Sequence, residues 1–146
     1  MEKQNMLKTG LGMTGPTYMH QYVVGRIFKN FVMKYDGDHI LMGVAVNDKP
    51  EIIPDLSIWK VPVCVNSDPK DPIITIEVTH ILRNDKYSEK NIRRTFDLIP
   101  SLQEAFIYNY SKQIWVRYRV ENDKVVKEEN KDFSHLLSCH FSTLLK

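Results

Sequence analysis

The stretch "IITIEVTH", residues 73–80, decides the fold. Its β-branched residues predict a central β-strand. Side chains of a strand alternate between two faces, so Ile74, Ile76 and Val78 give one apolar face. Glu77 lies on the other face between two threonines. The strand therefore combines a core-facing side with a side that carries one acid.

Segments on both sides of this strand predict further elements. Upstream, helical spacing of apolar residues indicates a helix over 17–33, and "ILMGVAV" and "DLSIW" predict strands. Downstream, "NDKYSEKNIRRTFDLI" predicts a helix, and "EAFIYNY" and "QIWVRYRV" predict a hairpin. The charged segment 120–130 is expected to loop out, and the last segment gives no clear pattern. The order predicts an α/β or α+β fold, a sheet with helices packed on it.

Length and composition fit one intracellular domain. The chain has 146 residues and a formal net charge of +2, which does not indicate a polyanion partner by itself. Its two cysteines, Cys64 and Cys139, are expected to be buried thiols in a cytoplasmic protein. No apolar stretch reaches the length of a membrane span. We expect an N-terminal arm over 1–16 and a single domain over 17–146.

Asp55 and Glu77 are the candidate site residues. Asp55 opens the strand "DLSIW" on the same face as Ser57. If the two strands are neighbours, the two carboxylates converge, and a hard divalent cation would offset their repulsion. The alternative is a strand-entry turn, because Pro-Asp is common in turns.

A lysine near the acids would complete a hydrolytic site, because it could orient a water or stabilise charge on a phosphate. Thr79, two residues after Glu77, occupies the nearest strand position. The next basic residues, Lys86, Lys90 and Arg93, share one face of the following helix. A solvated basic helix face is the alternative interpretation.

"IIPDLSIW", "IITIEVTH", "YSEKNIRRTF" and "LQEAFIYNY", taken in this order, resemble the bacterial Uma-two family of restriction endonucleases, a branch of the PD-(D/E)xK nuclease superfamily. The resemblance covers roughly residues 13–120. It implies a restriction-endonuclease-like mixed β-sheet flanked by helices. The family also has a histidine at the start of an upstream helix, where this chain has His20. This chain departs from the family pattern at His80, which stands where the family has serine.

The resemblance implies that Asp55 and Glu77 bind Mg²⁺ or Mn²⁺. It also implies that Lys90 is the lysine that has moved from the strand to the helix, with Lys86 as an alternative. The function implied is metal-dependent endonuclease activity on DNA. A family glutamate before a glycine has no match in residues 1–16, so a degenerate nuclease fold that binds nucleic acid or a protein without catalysis stays an alternative.

Other side chains leave further alternatives open. His20 and His80 are expected to be packed or surface residues more often than ligands. Trp115, Arg117 and Arg119 share one face of their strand, where they could contact nucleic acid. The same face could instead be exposed to solvent with Trp115 at a homodimer contact. An interaction module of this kind is the third hypothesis.

Overall fold

The β-branched stretch forms the central strand of a six-stranded sheet. The computed structural model describes residues 18–35, 37–45, 52–63, 71–80 and 85–146, with the backbone alone for 85–88. The expected arm over 1–16, Cys64 and the side chain of Lys86 lie outside the described residues.

Within these ranges the chain forms two α-helices and eight strands. They are α1 (Tyr18–Lys34), β1 (Ile40–Met42), β2 (Leu56–Ile58), β3 (Ile74–Thr79), α2 (Asp85–Leu98), β4 (Glu104–Asn109), β5 (Ile114–Glu121), β6 (Lys124–Glu129), β7 (Phe133–Ser134) and β8 (Cys139–His140). Short 3₁₀ helices span Gly37–His39 and Phe141–Leu145.

The large sheet has the strand order β1-β2-β3-β4-β5-β6. Strands β3 and β4 are parallel and follow one another through α2, whereas every other neighbouring pair is antiparallel. A parallel pair requires a crossover connection, and the helix between them supplies it. The predicted mixed sheet with flanking helices is confirmed.

Each face of the sheet packs against one helix. Helix α1 buries Ile27 and Phe31 in a core with Ile74 and Ile76 of β3. On the other face, the second core joins α2 to β4 and β5. Its buried members include Ile92, Phe96, Ile99, Ala105, Ile107 and Tyr118. Glu77 pairs with Ile107 in parallel register, so Glu77 lies on the α2 face of the sheet.

The expectation that residues 120–130 loop out is wrong. Strands β5 and β6 form an antiparallel hairpin in which Glu121 pairs with Lys124. The two residues between them, Asn122 and Asp123, have φ angles of 51° and 62°. Two positive φ values suit the tight hairpin turn whose twist matches the strands, and Asn and Asp tolerate them. The charged composition therefore marks a solvent-facing hairpin.

The strand predicted over "ILMGVAV" is shorter than expected. It ends at Met42, and Gly43 follows with a φ of +57°. That backbone conformation is outside the β region and ends the pairing. None of the helices in the described ranges combines the length and the hydropathy needed to cross a bilayer.

Candidate active site

Asp55 lies immediately before β2, at the end of the sheet where β3 finishes. Strand β2 runs antiparallel to β3, and Leu56 pairs with Ile76. This register carries Asp55 to the carboxyl end of β3. There its Oδ2 atom accepts a hydrogen bond of 2.7 Å from the backbone N–H of Val78. The strand-entry position of Asp55 thus serves to fix its carboxylate against the neighbouring strand.

Glu77 meets Asp55 at this end of the sheet. Glu77 is the β3 position that faces Asp55 across the two strands, because Leu56 pairs with Ile76. Burial first, then the charge of Asp55 and the hydrogen bond with it, raise the pKa of Glu77 well above its usual range. The strand register therefore brings the two acids together, and their role as metal ligands stays a prediction.

His20 contacts Asp55 from helix α1, which packs on the other face of the sheet from α2. Its Nε2 atom lies 3.1 Å from Oδ2 of Asp55, and both side chains are largely buried, with exposed fractions of 17% and 21%. An ionised carboxylate only accepts hydrogen bonds, so the proton of this contact lies on Nε2. Asp55 therefore receives hydrogen bonds from β3 and from α1 together. The sequence placed His20 at a helix start but did not reveal its contact with Asp55, because the two are 35 positions apart.

The donor set around the acid pair suits a hard divalent cation. Besides the two carboxyl groups, Ser57 and Thr75 lie on the same sheet face and pair across β2 and β3. Their hydroxyl oxygens are buried, with no hydrogen-bond partner among the described residues. Mg²⁺ prefers oxygen ligands, so the two carboxyl groups are the side chains here that could hold it. Within the described ranges no group of three or more His, Cys, Asp or Glu side chains is arranged around one point, so the acid pair is a two-carboxylate site.

Lys90 is not brought to the acid pair by any contact of the described residues. It is exposed on α2, two positions before the buried Ile92. Two residues correspond to about 200° around a helix, so Lys90 lies on the side of α2 away from the sheet. Its assignment as the assisting lysine rests on the resemblance and stays a prediction. Thr79, at the strand position discussed above, is half-buried.

The expectations for the aromatic face of β5 are wrong. Trp115 stacks on Phe141 of the C-terminal 3₁₀ helix, with ring centroids 5.9 Å apart, and is buried. Arg117 is 4% exposed, and its Nε donates to Glu104 at 2.7 Å. Neither side chain is available for a nucleic acid or for a homodimer contact through Trp115. The ambiguous C-terminal segment is the element that covers them.

His80 stays at the surface, where it stacks on Tyr110 with a centroid separation of 5.5 Å. His135 and His140 are also exposed. His140 contacts Asp132 at 3.0 Å, and both histidines lie against the ring of Phe133. Both C-terminal histidines therefore lie at the surface.

Comparison with solved structures finds chains of the same fold. A protein from Anabaena variabilis, described as a "putative nuclease belonging to DUF820", superposes with a TM-score of 0.60 and 16% sequence identity. The match covers 90% of this chain and 82% of that one. Scans against protein families and curated proteins find no match. At this level of identity the likeness establishes the fold alone: a mixed sheet between two helices.

Proposed function

We propose that this chain is a metal-dependent endonuclease that hydrolyses phosphodiester bonds of DNA. The observation that carries the proposal is the position of Asp55 beside Glu77 at the end of β3, where Asp55 accepts a hydrogen bond from the N–H of Val78. The likeness in fold to a protein described as a nuclease supports the reaction class. The resemblance in sequence points to the same two acids.

Asp55 and Glu77 would hold Mg²⁺ or Mn²⁺ through their carboxylate oxygens. When bound, such a cation supplies a Lewis acid for the phosphate and lowers the pKa of a coordinated water. Two buried carboxyl groups in contact are unfavourable when both are ionised, so cation binding would favour the ionised form of Glu77. His20 would keep Asp55 oriented through the contact between Nε2 and Oδ2.

Lys90 is proposed to assist the attacking water, as the resemblance implies. Its exposed position means that substrate or a shift of the side chain would have to bring the ammonium group to the site. Lys90→Ala tests this role against Lys124→Ala, an exposed lysine of β6. A lower cleavage rate in Lys90→Ala alone, with unchanged Mn²⁺ affinity, supports the assignment. Equal rates in both variants would remove Lys90 from the mechanism and leave the acid pair in place.

The test of the main proposal is cleavage of DNA, supplied as a labelled single strand and as supercoiled plasmid, by purified protein with Mg²⁺, Mn²⁺ or EDTA. We expect cleavage with either metal, none in EDTA, and a loss of at least about 100-fold in Asp55→Ala and Glu77→Gln. Asp123→Asn, in the exposed hairpin turn, is the matched control and should cleave as wild type. Cleavage in EDTA, or undiminished cleavage by Glu77→Gln, would contradict the proposal.

A second candidate is a nuclease fold that binds nucleic acid or a protein without catalysis. The exposed position of Lys90 and the two-carboxylate site favour it. Calorimetric titration with Mn²⁺ separates the two candidates. A catalytic site should give binding heat that disappears in Glu77→Gln, whereas the binding module should give no such site-specific heat.

A further inference from the structure

A cavity of about 180 Å³ opens on the sheet face that carries Glu77. It lies at the carboxyl ends of β3 and β4, where Thr79 pairs with Asn109. Both residues line it. Thr79 follows Glu77 by two strand positions, so the cavity begins about 7 Å from the acid. In sheets with parallel strands, ligands bind in the crevice outside the carboxyl ends of the strands.

The wall of the cavity is apolar and its rim is basic. Ile107 and Val116 form part of the wall, beside Tyr118. Lys112 and Lys127 line the same cavity and supply two positive charges. A volume of this size exceeds by several times the roughly 30 Å³ that one water occupies in the liquid. An uncharged planar ring fits such a wall, and a phosphate group fits such a rim.

Two contacts define the polar side of the cavity. Asn109 is buried, and its Oδ1 accepts hydrogen bonds from the backbone N–H groups of Ser111 and Lys112 at 3.0 and 3.1 Å. The side-chain amide is therefore held in one orientation at the edge of the cavity. Lys127 is 27% exposed and contacts the lining residue Glu129 at 3.7 Å. The lysines leave an excess of positive charge over this single carboxylate.

We infer that this cavity receives an unpaired nucleobase next to the scissile phosphate at the proposed Asp55–Glu77 site, which makes single-stranded DNA the substrate class. This inference rests on the proposed function and names its substrate. A base within a duplex is stacked and paired and cannot enter a cavity without leaving the helix, at a cost of a few kcal/mol. A single strand offers the same ring and phosphate without that cost.

The experiment measures DNA binding in EDTA, where metal-dependent cleavage cannot occur. Three fluorescent probes of equal length are compared by anisotropy: a thymidine single strand, the same strand in a duplex, and a strand of abasic sugars. The inference predicts that the thymidine strand binds at least about tenfold more tightly than the abasic strand, because base contacts contribute about 1–3 kcal/mol each. It also predicts that the duplex binds more weakly, per binding site, than the thymidine single strand.

Three variants test whether the cavity causes the preference for the thymidine strand over the abasic strand. Val116→Trp fills it and should lower affinity for the thymidine strand to that for the abasic strand. Lys127→Gln should weaken both single strands alike, because it removes a phosphate contact. Lys124→Gln is the matched control on β6: Lys124 does not line the cavity and should show a smaller loss.

Equal affinity of wild type for thymidine and abasic strands would overturn the inference, and this comparison needs no variant to fold. Tighter binding of the duplex, or no DNA binding, would also overturn it. Base-dependent binding in a protein that never cleaves DNA with Mg²⁺ or Mn²⁺ would support the cavity assignment while contradicting the nuclease proposal. The two failures are therefore distinguishable.

Discussion

The carboxylate of Asp55 accepts a hydrogen bond from the N–H group of Val78, the residue that directly follows Glu77. One carboxylate is thus bonded to the strand that carries the other. Two acids at short range repel when both are ionised, and this hydrogen bond keeps the Asp55 carboxylate beside β3. The acid pair is therefore a local source of instability that a bound cation can relieve.

Glu77→Gln is expected to stabilise the protein in the absence of metal. The change removes the ionisable group whose pKa is raised by burial and by Asp55, and the amide can still donate a hydrogen bond to Asp55. A gain of about 1 kcal/mol in the free energy of unfolding is expected, which corresponds to a few degrees in Tm. Thermal unfolding in EDTA measures it. With Mn²⁺ added, wild type should gain Tm and Glu77→Gln should not. A lower Tm for the variant in EDTA would contradict this account.

Asp55→Ala, in contrast, should lower the free energy of unfolding. It leaves the N–H of Val78 and the Nε2–H of His20 without the carboxylate that accepts from them. Unsatisfied, largely buried donors cost about 1–3 kcal/mol. Asp55→Asn keeps one acceptor oxygen and should lose less stability than Asp55→Ala. Urea unfolding in EDTA compares the two variants with wild type. If Asp55→Ala equals wild type in stability, the role of Asp55 as a shared acceptor is wrong.

The parts of the fold that could be predicted are those with strong local patterns. The strand with Glu77 alternates two clear faces, and the helix over Asp85–Leu98 has an apolar stripe, so both were predicted close to their observed bounds. The convergence of Asp55 and Glu77 followed from strand parity once neighbouring strands were assumed. The alternation of side chains along a strand is a local property of the sequence. Only one further assumption was needed, that β2 pairs with β3.

The parts that could not be predicted depend on contacts between distant segments. Glu104 is 2% exposed and accepts hydrogen bonds from Arg117, from the Ser134 hydroxyl at 2.6 Å and from the N–H groups of His135 and Leu136. A sequence pattern cannot show that the C-terminal segment folds back over β5. The arginine therefore looked like a ligand for phosphate when its partner was a buried carboxylate.

This buried ion pair gives the third prediction. Arg117→Met should cost about 3–5 kcal/mol, because it leaves the buried Glu104 without a cation. Glu104→Gln should cost less, because Arg117 keeps its ion pair with Glu128. The double variant Glu104→Gln/Arg117→Met should cost clearly less than the sum of the two. Chemical denaturation of the full cycle measures the coupling. Arg93→Ala, which breaks the exposed pair with Glu89, is the control and should cost at most about 0.5 kcal/mol. Strictly additive costs would show that the pair is not coupled.

Glu128 provides the prediction for acid stability. Burial acts to raise the pKa of Glu128, but the hydrogen bonds and charges of Arg117 and Arg119 act against it, and the pKa is lowered. In the unfolded chain a glutamate titrates near pH 4.3. A group with a lowered pKa in the folded state contributes stability that is present above the unfolded pKa and is lost as the pH falls through the folded pKa.

We therefore expect the Tm of wild type to fall more steeply than that of Glu128→Gln as the pH is lowered from about 6 to about 3, a range that spans the ordinary titration of glutamate. The difference between the two proteins should be largest near neutral pH and shrink in acid, where Glu128 is protonated. Glu129→Gln is the matched control, because the side chain of Glu129, the next residue, is 73% exposed. This variant should have a pH profile close to that of wild type. Parallel profiles for wild type and Glu128→Gln would mean that the two arginines do not stabilise the ionised form of Glu128.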